Sequence, residues 1–293
     1  MMKSLIKLAR PKQWLKNGVV LAALIFSGAA TDPDLLQTSL WAVGLFCLLS
    51  SAVYVMNDIV DRKKDRQHPL KMHRPIASGK VSVSTAGAFL AGLLVLGLAG
   101  AWLLNPMFFV AAVAFLTLNV AYSLWLKNIV ILDVMSIAVS FSLRAYAGAF
   151  AIGVPASKWL LINTILLALF LGFGKRRHEL VALEGNATKH RSSLGHYSPY
   201  LLDQLIGVVT ASVVVAYMLY TFSPEVSEKL GTNNLFFTVP LVLYGIFRYL
   251  YLIHKEERGG SPTDILISDR PILIDVIVWL AAVVVVLYYA PGR

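Results

Sequence analysis

Nine apolar stretches recur along this chain, and each is long enough to cross the hydrocarbon core of a bilayer, which needs roughly 20 apolar residues in a helix. Hydrophobic residues make up 57% of the 293 residues and charged residues 14%. The stretches cover residues 14–30, 36–56, 84–104, 106–126, 129–153, 158–174, 199–222, 234–253 and 272–290. Backbone groups in lipid must be hydrogen-bonded internally, so the pattern predicts an all-α, polytopic membrane protein. No linker is long enough to separate two water-soluble domains, and residues 1–293 are predicted to form one intramembrane domain.

The basic residues of the connecting segments are distributed unevenly. A net charge of +10 is compatible with nucleic-acid binding, but Lys and Arg concentrate before the first stretch and after the even-numbered ones. This positive-inside pattern predicts nine crossings with a cytoplasmic N-terminus, in the plasma membrane, and it argues against a nucleic-acid partner. Part of the charge is left to face anionic lipid or an anionic substrate.

An acidic motif follows the second stretch. Asp58, Asp61 and Asp65 stand at positions i, i+3 and i+7, which would place all three on one face of a continuous helix. Mg²⁺ prefers oxygen ligands and commonly binds one or two carboxylates together with substrate phosphates. The motif therefore predicts a site for magnesium and a diphosphate, with Asn57 as a further oxygen ligand. The alternative is a solvated acidic face that neighbouring basic residues neutralise.

Several other polar side chains suit phosphate binding. Lys71 and Arg74 are candidates, because Arg offers a planar fork of donors and Lys a compact charge. Lys127 would add another cation, and Tyr122 a hydrogen bond. Positive-inside charge and anchoring at the membrane interface explain these residues equally well when each is taken alone.

Two ionisable residues, Asp133 and Arg144, lie inside the fifth stretch. Such residues are costly in a membrane-spanning helix and are usually functional or paired. Their separation of eleven residues is close to three turns, so both side chains are predicted to face the same interior. Asp133 is a candidate for the metal site or for the ribose hydroxyls of a substrate, and a purely structural Asp–Arg pair remains open.

The acidic motif resembles the first signature of the UbiA superfamily of intramembrane prenyltransferases. It reads Asn57-Asp58-x-x-Asp61-x-x-x-Asp65 and is followed by Arg74-Pro75-Ile76-Ala77-Ser78-Gly79. The resemblance runs over nearly the whole chain. It implies a bundle of nine helices, an active site that faces the cytoplasm, and Mg²⁺ as the cofactor.

Further motifs resemble one branch of that superfamily, the decaprenyl-phosphate phosphoribosyltransferases. They are Arg10-Pro11-Lys12-Gln13-Trp14-Leu15-Lys16-Asn17, Tyr122-Ser123-x-x-Leu126-Lys127, Leu132-Asp133-Val134, Leu143-Arg144-x-x-Ala147-Gly148 and Gly174-Lys175-Arg176-Arg177-x-Glu179. The resemblance implies that a polyprenyl phosphate takes the 5-phosphoribosyl group of 5-phosphoribosyl 1-diphosphate and that diphosphate leaves. The catalytic candidates are Asp58, Asp61, Asp65, Lys71 and Lys127. The candidates for substrate binding are Lys16, Asn57, Arg74, Tyr122, Asp133, Arg144, Lys175, Arg176, Arg177, Glu179, Arg191 and Tyr197.

The loop after the sixth stretch departs from the pattern of other UbiA-type enzymes, which usually carry a second Asp-rich motif there. Residues 174–191 contain five basic residues and no aspartate. Such a loop suits direct binding of phosphate groups, which favours the phosphoribosyltransferase branch.

Two other functions stay open on the sequence. A prenyltransferase that moves a polyprenyl group from its diphosphate to an aromatic or other small acceptor would share the acidic motif, but the missing second motif disfavours it. An anion transporter would use Asp133 and Arg144, but the charged residues gather at one predicted side of the membrane. The lipid bilayer is an expected partner, and a homo-oligomer is left open.

Overall fold

The computed structural model describes residues 2–67, 71–182, 192–256 and 260–289. All regular secondary structure in these ranges is helical. One of the substrate-binding candidates, Arg191, lies outside the described residues.

Eight helical segments among the described residues are long and apolar enough to span a membrane. Six of them are single helices: α3 (Pro33–Val60), α5 (Val83–Leu104), α6 (Pro106–Leu124), α7 (Leu132–Ala151), α8 (Lys158–Ala182) and α9 (Pro199–Phe222). The other two are Asn234–His254, which contains α11 (Val239–His254), and Arg270–Tyr289, which contains α13 (Arg270–Val284). The shorter helices are α1 (Met2–Ala9), α2 (Ala22–Phe26), α4 (Arg62–Gln67), α10 (Pro224–Leu230) and α12 (Pro262–Ser268). The predicted all-α membrane protein is confirmed, and eight of the nine predicted spans match these segments.

Polar side chains begin many of the long helices. An N-cap side chain satisfies one of the backbone N–H groups that have no partner in the first helical turn. The caps are Asp32 for α3, Ser82 for α5, Asn105 for α6, Ser198 for α9 and Asp269 for α13. These residues fix where each span starts, and proline follows several of them at the first helical position, where its missing N–H costs nothing.

The first predicted span, residues 14–30, is not a continuous α-helix. Pro11–Leu21 forms a 3₁₀ helix, and α2 adds only five residues before Gly28, which has a φ of 82°. The first half of this segment contains Lys16 and Asn17, and Asn17 is buried with hydrogen bonds to other side chains. These hydrogen bonds hold a polar side chain inside the first unit, at a position where a continuous apolar helix would carry an apolar residue. The ninth crossing and the cytoplasmic N-terminus therefore stay predictions.

The chain divides into two compact units. The first unit comprises Met1–Leu24, Asp32–Leu124 and Leu143–Pro155. In its core the rings of Phe46, Phe108 and Phe115 pack edge to face. Two glycines of α5 lie directly against leucines of α3, so that the two helices approach closely, as small residues permit in membrane bundles.

The second unit comprises Ile25–Thr31, Trp125–Ser142 and Ala156–Arg293. Its largest apolar cluster joins α8, α9 and α11, with Phe170 packed against the ring of Tyr249. Gly172 of α8 lies against the side chain of Val134 at the start of α7. This close approach brings the first turn of α7 next to the polar end of α8.

Candidate active site

Two carboxylates of the acidic motif are buried where α3 ends and α4 begins. With 28 residues, α3 is about 42 Å long, which exceeds the roughly 30 Å thickness of a hydrocarbon core. Asp58 in its last turn is 2% exposed, and Asp65 in α4 is 3% exposed. The continuous helix predicted for the three acidic residues is wrong in one detail, because Asp61 has φ −84° and ψ 4° and separates the two helices. Asp58 and Asp65 are called the acid pair below.

Arg74 joins the two carboxylates of the acid pair. Its Nη1 lies 3.1 Å from Oδ1 of Asp58 and 2.7 Å from Oδ2 of Asp65. A compact turn holds this arginine in place: the backbone N–H of Ser78 donates to the carbonyl of Arg74, and that of Val81 donates to the carbonyl of Pro75. Arg74 was predicted to bind phosphate. In the structure its guanidinium contacts two of the predicted metal ligands, Asp58 and Asp65.

Arg10 is a second cation on the acid pair, and it was missing from the sequence candidates. Its Nη2 forms an ion pair with Oδ1 of Asp58, and its guanidinium lies 5.0 Å from the centre of the Tyr54 ring. The backbone of Arg10 has φ 54° and ψ 62°, a left-handed conformation that is uncommon outside glycine. The signal was its position directly before Pro11, at the start of a motif that supported the family resemblance. Arg10 and Arg74 are called the arginine pair below.

The acid pair fits a divalent cation that is also bound by phosphate. Both carboxylates contact one positive group, the guanidinium of Arg74. The same pair of negative charges would attract a metal ion. Mg²⁺ commonly uses one or two carboxylates and completes its shell with water and substrate phosphates. In the described ranges no group of three His, Cys, Asp or Glu side chains is arranged to hold a metal. Asp61, half-buried at the helix break, stays a predicted third ligand.

The remaining predicted residues around the acid pair lie in the same unit. The side-chain oxygen of Asn57, predicted as a metal ligand, accepts a hydrogen bond from Ser123 in the last turns of α6. Tyr122 is half-buried beside it in the sequence, and Lys71 is half-buried in the short 3₁₀ turn that precedes Arg74. Ser123 belongs to the motif that begins at Tyr122, but it was not predicted as a site residue.

A buried polar cluster surrounds Arg144 in the first unit. Its Nε donates to Oδ1 of Asn17 at 3.0 Å, and its guanidinium lies 4.6 Å from the centre of the Phe115 ring. The hydroxyl of Ser50 donates to the same oxygen of Asn17. Asn17 is fully buried and was not among the sequence candidates, which include its half-buried neighbour Lys16.

Asp133 is the centre of a buried network in the second unit. Its carboxylate accepts hydrogen bonds from Tyr197 at 2.8 Å and Ser193 at 3.2 Å, and it lies 3.2 Å from Nε of Arg176. Arg176 is also paired with Glu179. Asp133 thus has Arg176 of α8 as an ionic partner, whereas Arg144 donates a hydrogen bond to Asn17. Spacing along α7 could not reveal these partners, since each comes from another part of the chain.

The hydroxyl of Tyr197 links the start of α7 to this network. It accepts a hydrogen bond from the backbone N–H of Ile131 at 2.7 Å and donates to Asp133. Burial and the hydrogen bond to Asp133 raise the pKa of Tyr197 above its usual range. Ile131 has a φ of 70°, which is strained for a β-branched residue. The phenol therefore stays protonated and holds a strained corner of the backbone.

The other basic candidates of the second unit are more exposed. Arg177 pairs with Asp203 of α9, which is also 3.2 Å from Nε2 of His254. Lys175 lies 3.8 Å from Glu179. Lys127 is half-buried in the 3₁₀ turn Leu126–Asn128. The structure therefore gives each of the three predicted bases of Lys175–Arg177 a carboxylate partner.

Comparison with known proteins identifies close relatives of the whole chain. The decaprenyl-phosphate phosphoribosyltransferase of Mycobacterium tuberculosis (strain H37Rv) is 33% identical over 283 residues, which cover 95% of this chain and 92% of that protein. The protein of the same name from Corynebacterium glutamicum is 31% identical over 295 aligned residues, covering 98% of this chain and 87% of that protein.

A solved structure shares the fold. The UbiA homolog from Archaeoglobus fulgidus bound to DMAPP and Mg²⁺ has a TM-score of 0.71, with coverage of 97% of this chain and 100% of that chain at 21% sequence identity. Residues 18–263 match the sequence pattern of the UbiA prenyltransferase family. The resemblance inferred from the motifs is confirmed, and the chain belongs to the UbiA prenyltransferase family.

Proposed function

We propose that this integral membrane protein transfers the 5-phosphoribosyl group of 5-phosphoribosyl 1-diphosphate to a polyprenyl phosphate of the decaprenyl type, with Mg²⁺ as the cofactor. The observation that carries the proposal is the buried acid pair with the arginine pair on it. Carboxylates for a metal and guanidinium groups for phosphate oxygens are the two components that a diphosphate leaving group requires. The names of the relatives in Mycobacterium and Corynebacterium support the choice of acceptor.

The basic segment of residues 174–191, whose first part forms the end of α8, supports the choice of sugar donor. A phosphoribosyl diphosphate carries a 5-phosphate besides its diphosphate, and the lipid acceptor brings a third phosphate group. Residues 174–191 offer bases without aspartate, which suits phosphate binding without a second metal site. The roles of Lys16, Lys127, Lys175, Arg177 and Glu179 in this binding remain part of the proposal.

The proposed reaction is a displacement at the anomeric carbon. A phosphate oxygen of the lipid attacks C1 of the ribose while the bond from C1 to the diphosphate oxygen breaks, and the electron pair leaves with diphosphate. Inversion at C1 converts the α donor to a β product. A phosphate monoester is largely ionised at neutral pH, since its second pKa is about 6, so no side chain has to remove a proton from the nucleophile.

The protein contributes charge stabilisation and positioning to this displacement. Asp58 and Asp65 would hold Mg²⁺, which neutralises charge on the leaving diphosphate. Arg10 and Arg74 would bind diphosphate oxygens, and positive charges beside a leaving group stabilise it most strongly where water is excluded. We place the reaction at the cytoplasmic face of the plasma membrane, because the basic segments predict that side and the sugar donor is water-soluble.

A transfer assay tests the proposal. Purified protein in detergent receives radiolabelled 5-phosphoribosyl 1-diphosphate, decaprenyl phosphate and Mg²⁺, and the label that becomes extractable into organic solvent is measured. Asp58→Asn and Asp65→Asn should each lose about 100-fold or more of the rate, the usual loss when one transition-state charge contact is removed. Asp61→Asn is expected to lose activity as well. Asp34→Asn, an exposed carboxylate at the other end of α3, is the control and should keep normal turnover.

The same preparation separates the alternatives. Product formed from a polyprenyl diphosphate and an aromatic acceptor, with none from the sugar donor, would identify a conventional prenyltransferase. Uptake of a labelled anion into proteoliposomes without any product would identify a transporter. Normal turnover in both Asp58→Asn and Asp65→Asn would remove the acid pair from the mechanism.

A further inference from the structure

The acid pair and the arginine pair neutralise each other in the structure. Both arginines contact the same oxygen, Oδ1 of Asp58, and Arg74 extends to Asp65. Two negatively charged carboxylates that contact the same guanidinium group repel each other, and neighbouring cations offset that repulsion. The arginines therefore supply the positive charge that the carboxylates need before any metal arrives.

A metal ion and the arginine pair would compete for the acid pair in this arrangement. Oδ1 of Asp58 has two guanidinium nitrogens within hydrogen-bond distance, and Nη1 of Arg74 also lies 2.7 Å from Oδ2 of Asp65. A divalent cation bound to any oxygen of the acid pair would be repelled by both guanidinium groups. Metal binding is therefore expected to favour movement of the arginines away from the carboxylates.

The arginines have room to move, and the carboxylates do not. The side chains of Arg10 and Arg74 are 27% and 28% exposed, whereas the side chain of Asp58 is 2% exposed. A guanidinium that turns toward solvent from this position meets any diphosphate that arrives with the metal. The planar fork of arginine matches phosphate oxygens with two parallel hydrogen bonds.

The backbone of Arg10 is independent support for a special role. Left-handed φ and ψ at a non-glycine residue cost free energy and persist where the surroundings impose them, often at functional positions. Proline follows at position 11 and further restricts the conformation of Arg10. This strained corner directs the side chain of Arg10 across Tyr54 to Asp58.

We propose that Arg10 and Arg74 are exchangeable counter-ions: they neutralise Asp58 and Asp65 while the site holds no metal, and they transfer to the donor's diphosphate oxygens when a divalent cation takes the carboxylates. This inference rests on the proposed function, which supplies the metal and the diphosphate. It assigns Arg10 to substrate binding. It also predicts two opposite effects of each arginine on affinity. Each arginine weakens binding of the metal alone, and each strengthens binding of the metal together with diphosphate.

Metal binding without substrate tests the competition. Mn²⁺ replaces Mg²⁺, and the free Mn²⁺ signal in electron paramagnetic resonance measures binding to wild-type protein, Arg10→Gln and Arg74→Gln. Loss of one competing charge about 4 Å from the metal should tighten Mn²⁺ binding about tenfold or more. The same variants should bind Mn²⁺ together with inorganic diphosphate at least about tenfold more weakly than wild type, since each loses a charge-assisted contact to phosphate.

Matched variants keep the test decisive. Lys64→Gln removes one positive charge from an exposed position of α4 and should change neither affinity by more than about twofold, as expected for a screened surface charge. Arg10→Lys and Arg74→Lys keep the charge and should give Mn²⁺ affinities between those of wild type and the Gln variants. These Lys variants provide the test if a Gln variant does not fold. Unchanged or weaker Mn²⁺ binding in the Gln and Lys variants would overturn the exchange. Product formation by the wild-type protein would still stand in that case, so the two proposals fail separately.

Discussion

Replacement of Gly148 by alanine should destabilise the protein, because this glycine lets α7 touch the 3₁₀ segment that carries Asn17. A Cβ at position 148 would lie 2.0 Å from the carbonyl oxygen of Val20 and 2.9 Å from its carbonyl carbon. Both are backbone atoms, which cannot rotate out of the way as the end of a side chain can. Gly148 follows Arg144 by one helical turn, so the same approach also permits the hydrogen bond from Arg144 to Asn17.

The size of the effect follows from two opposing contributions. Overpacking against atoms that cannot relax costs about 3 kcal/mol, the upper part of the range for inserted methyl groups. Alanine recovers about 1 kcal/mol relative to glycine through its higher helix propensity. The free energy of unfolding should therefore fall by about 2 kcal/mol, which corresponds to a drop in Tm of several degrees, at about 2–4 °C per kcal/mol for a chain of this class.

Thermal unfolding in detergent, followed by intrinsic tryptophan fluorescence, measures this change. Gly92→Ala is the matched control, because nothing lies within 4 Å of a Cβ at that exposed position of α5. Its Tm should stay unchanged or rise slightly. Equal Tm values for Gly148→Ala and Gly92→Ala would refute the close contact between α7 and Val20.

Two further predictions concern the network around Asp133 in the second unit. Arg176→Ala should cost about 3–5 kcal/mol of stability, because it removes the cation that lies against the buried carboxylate of Asp133. Arg177→Ala should cost only about 1 kcal/mol, because the side chain of its partner Asp203 is 37% exposed and solvent screens the pair. Chemical denaturation of both variants measures the difference. The raised pKa of Tyr197 means that the folded state holds the phenolic proton more tightly than the unfolded chain. The stability that this raised pKa supplies is present below about pH 10 and is lost as the pH rises further. Tyr197→Phe lacks the ionisable phenol, so its Tm should fall less than that of the wild type between pH 9 and pH 11. Equal losses of Tm would contradict the role assigned to the Tyr197 proton.

The spans were predictable from the sequence because apolar length and helical structure are properties of the local chain. Eight predicted stretches match the spanning segments, seven of them within a few residues, whereas α8 continues to Ala182, beyond the predicted end at residue 174. The first stretch is not one continuous α-helix, and apolar length alone could not show this, because it does not reveal that Asn17 is buried and hydrogen-bonded to Ser50 and Arg144. The break at Asp61 has the same origin, since i, i+3 and i+7 spacing assumes a helix that continues.

The candidate site was predictable in its residue types but not in its partners. Asp58, Asp65 and Arg74 were identified from one short motif, and the structure brings these three together. Arg10 lies 48 positions before Asp58 in the chain, and its left-handed backbone depends on surroundings that the sequence pattern does not encode. The partner of Asp133 likewise depends on which face of α8 meets α7, and only three-dimensional packing decides that.

The balance of charge around Asp58 has a consequence for inhibitor chemistry. The acid pair and the arginine pair sum to zero, so neither a bare cation nor a bare anion gains much net attraction there. Under the proposed mechanism, a neutral assembly of both, such as a bisphosphonate already saturated with Mg²⁺, would bind the carboxylates through its metal and the guanidinium groups through its oxygens. Compounds screened against this protein should therefore be supplied preloaded with magnesium, because a chelator added alone must strip the metal from solution or face two carboxylates.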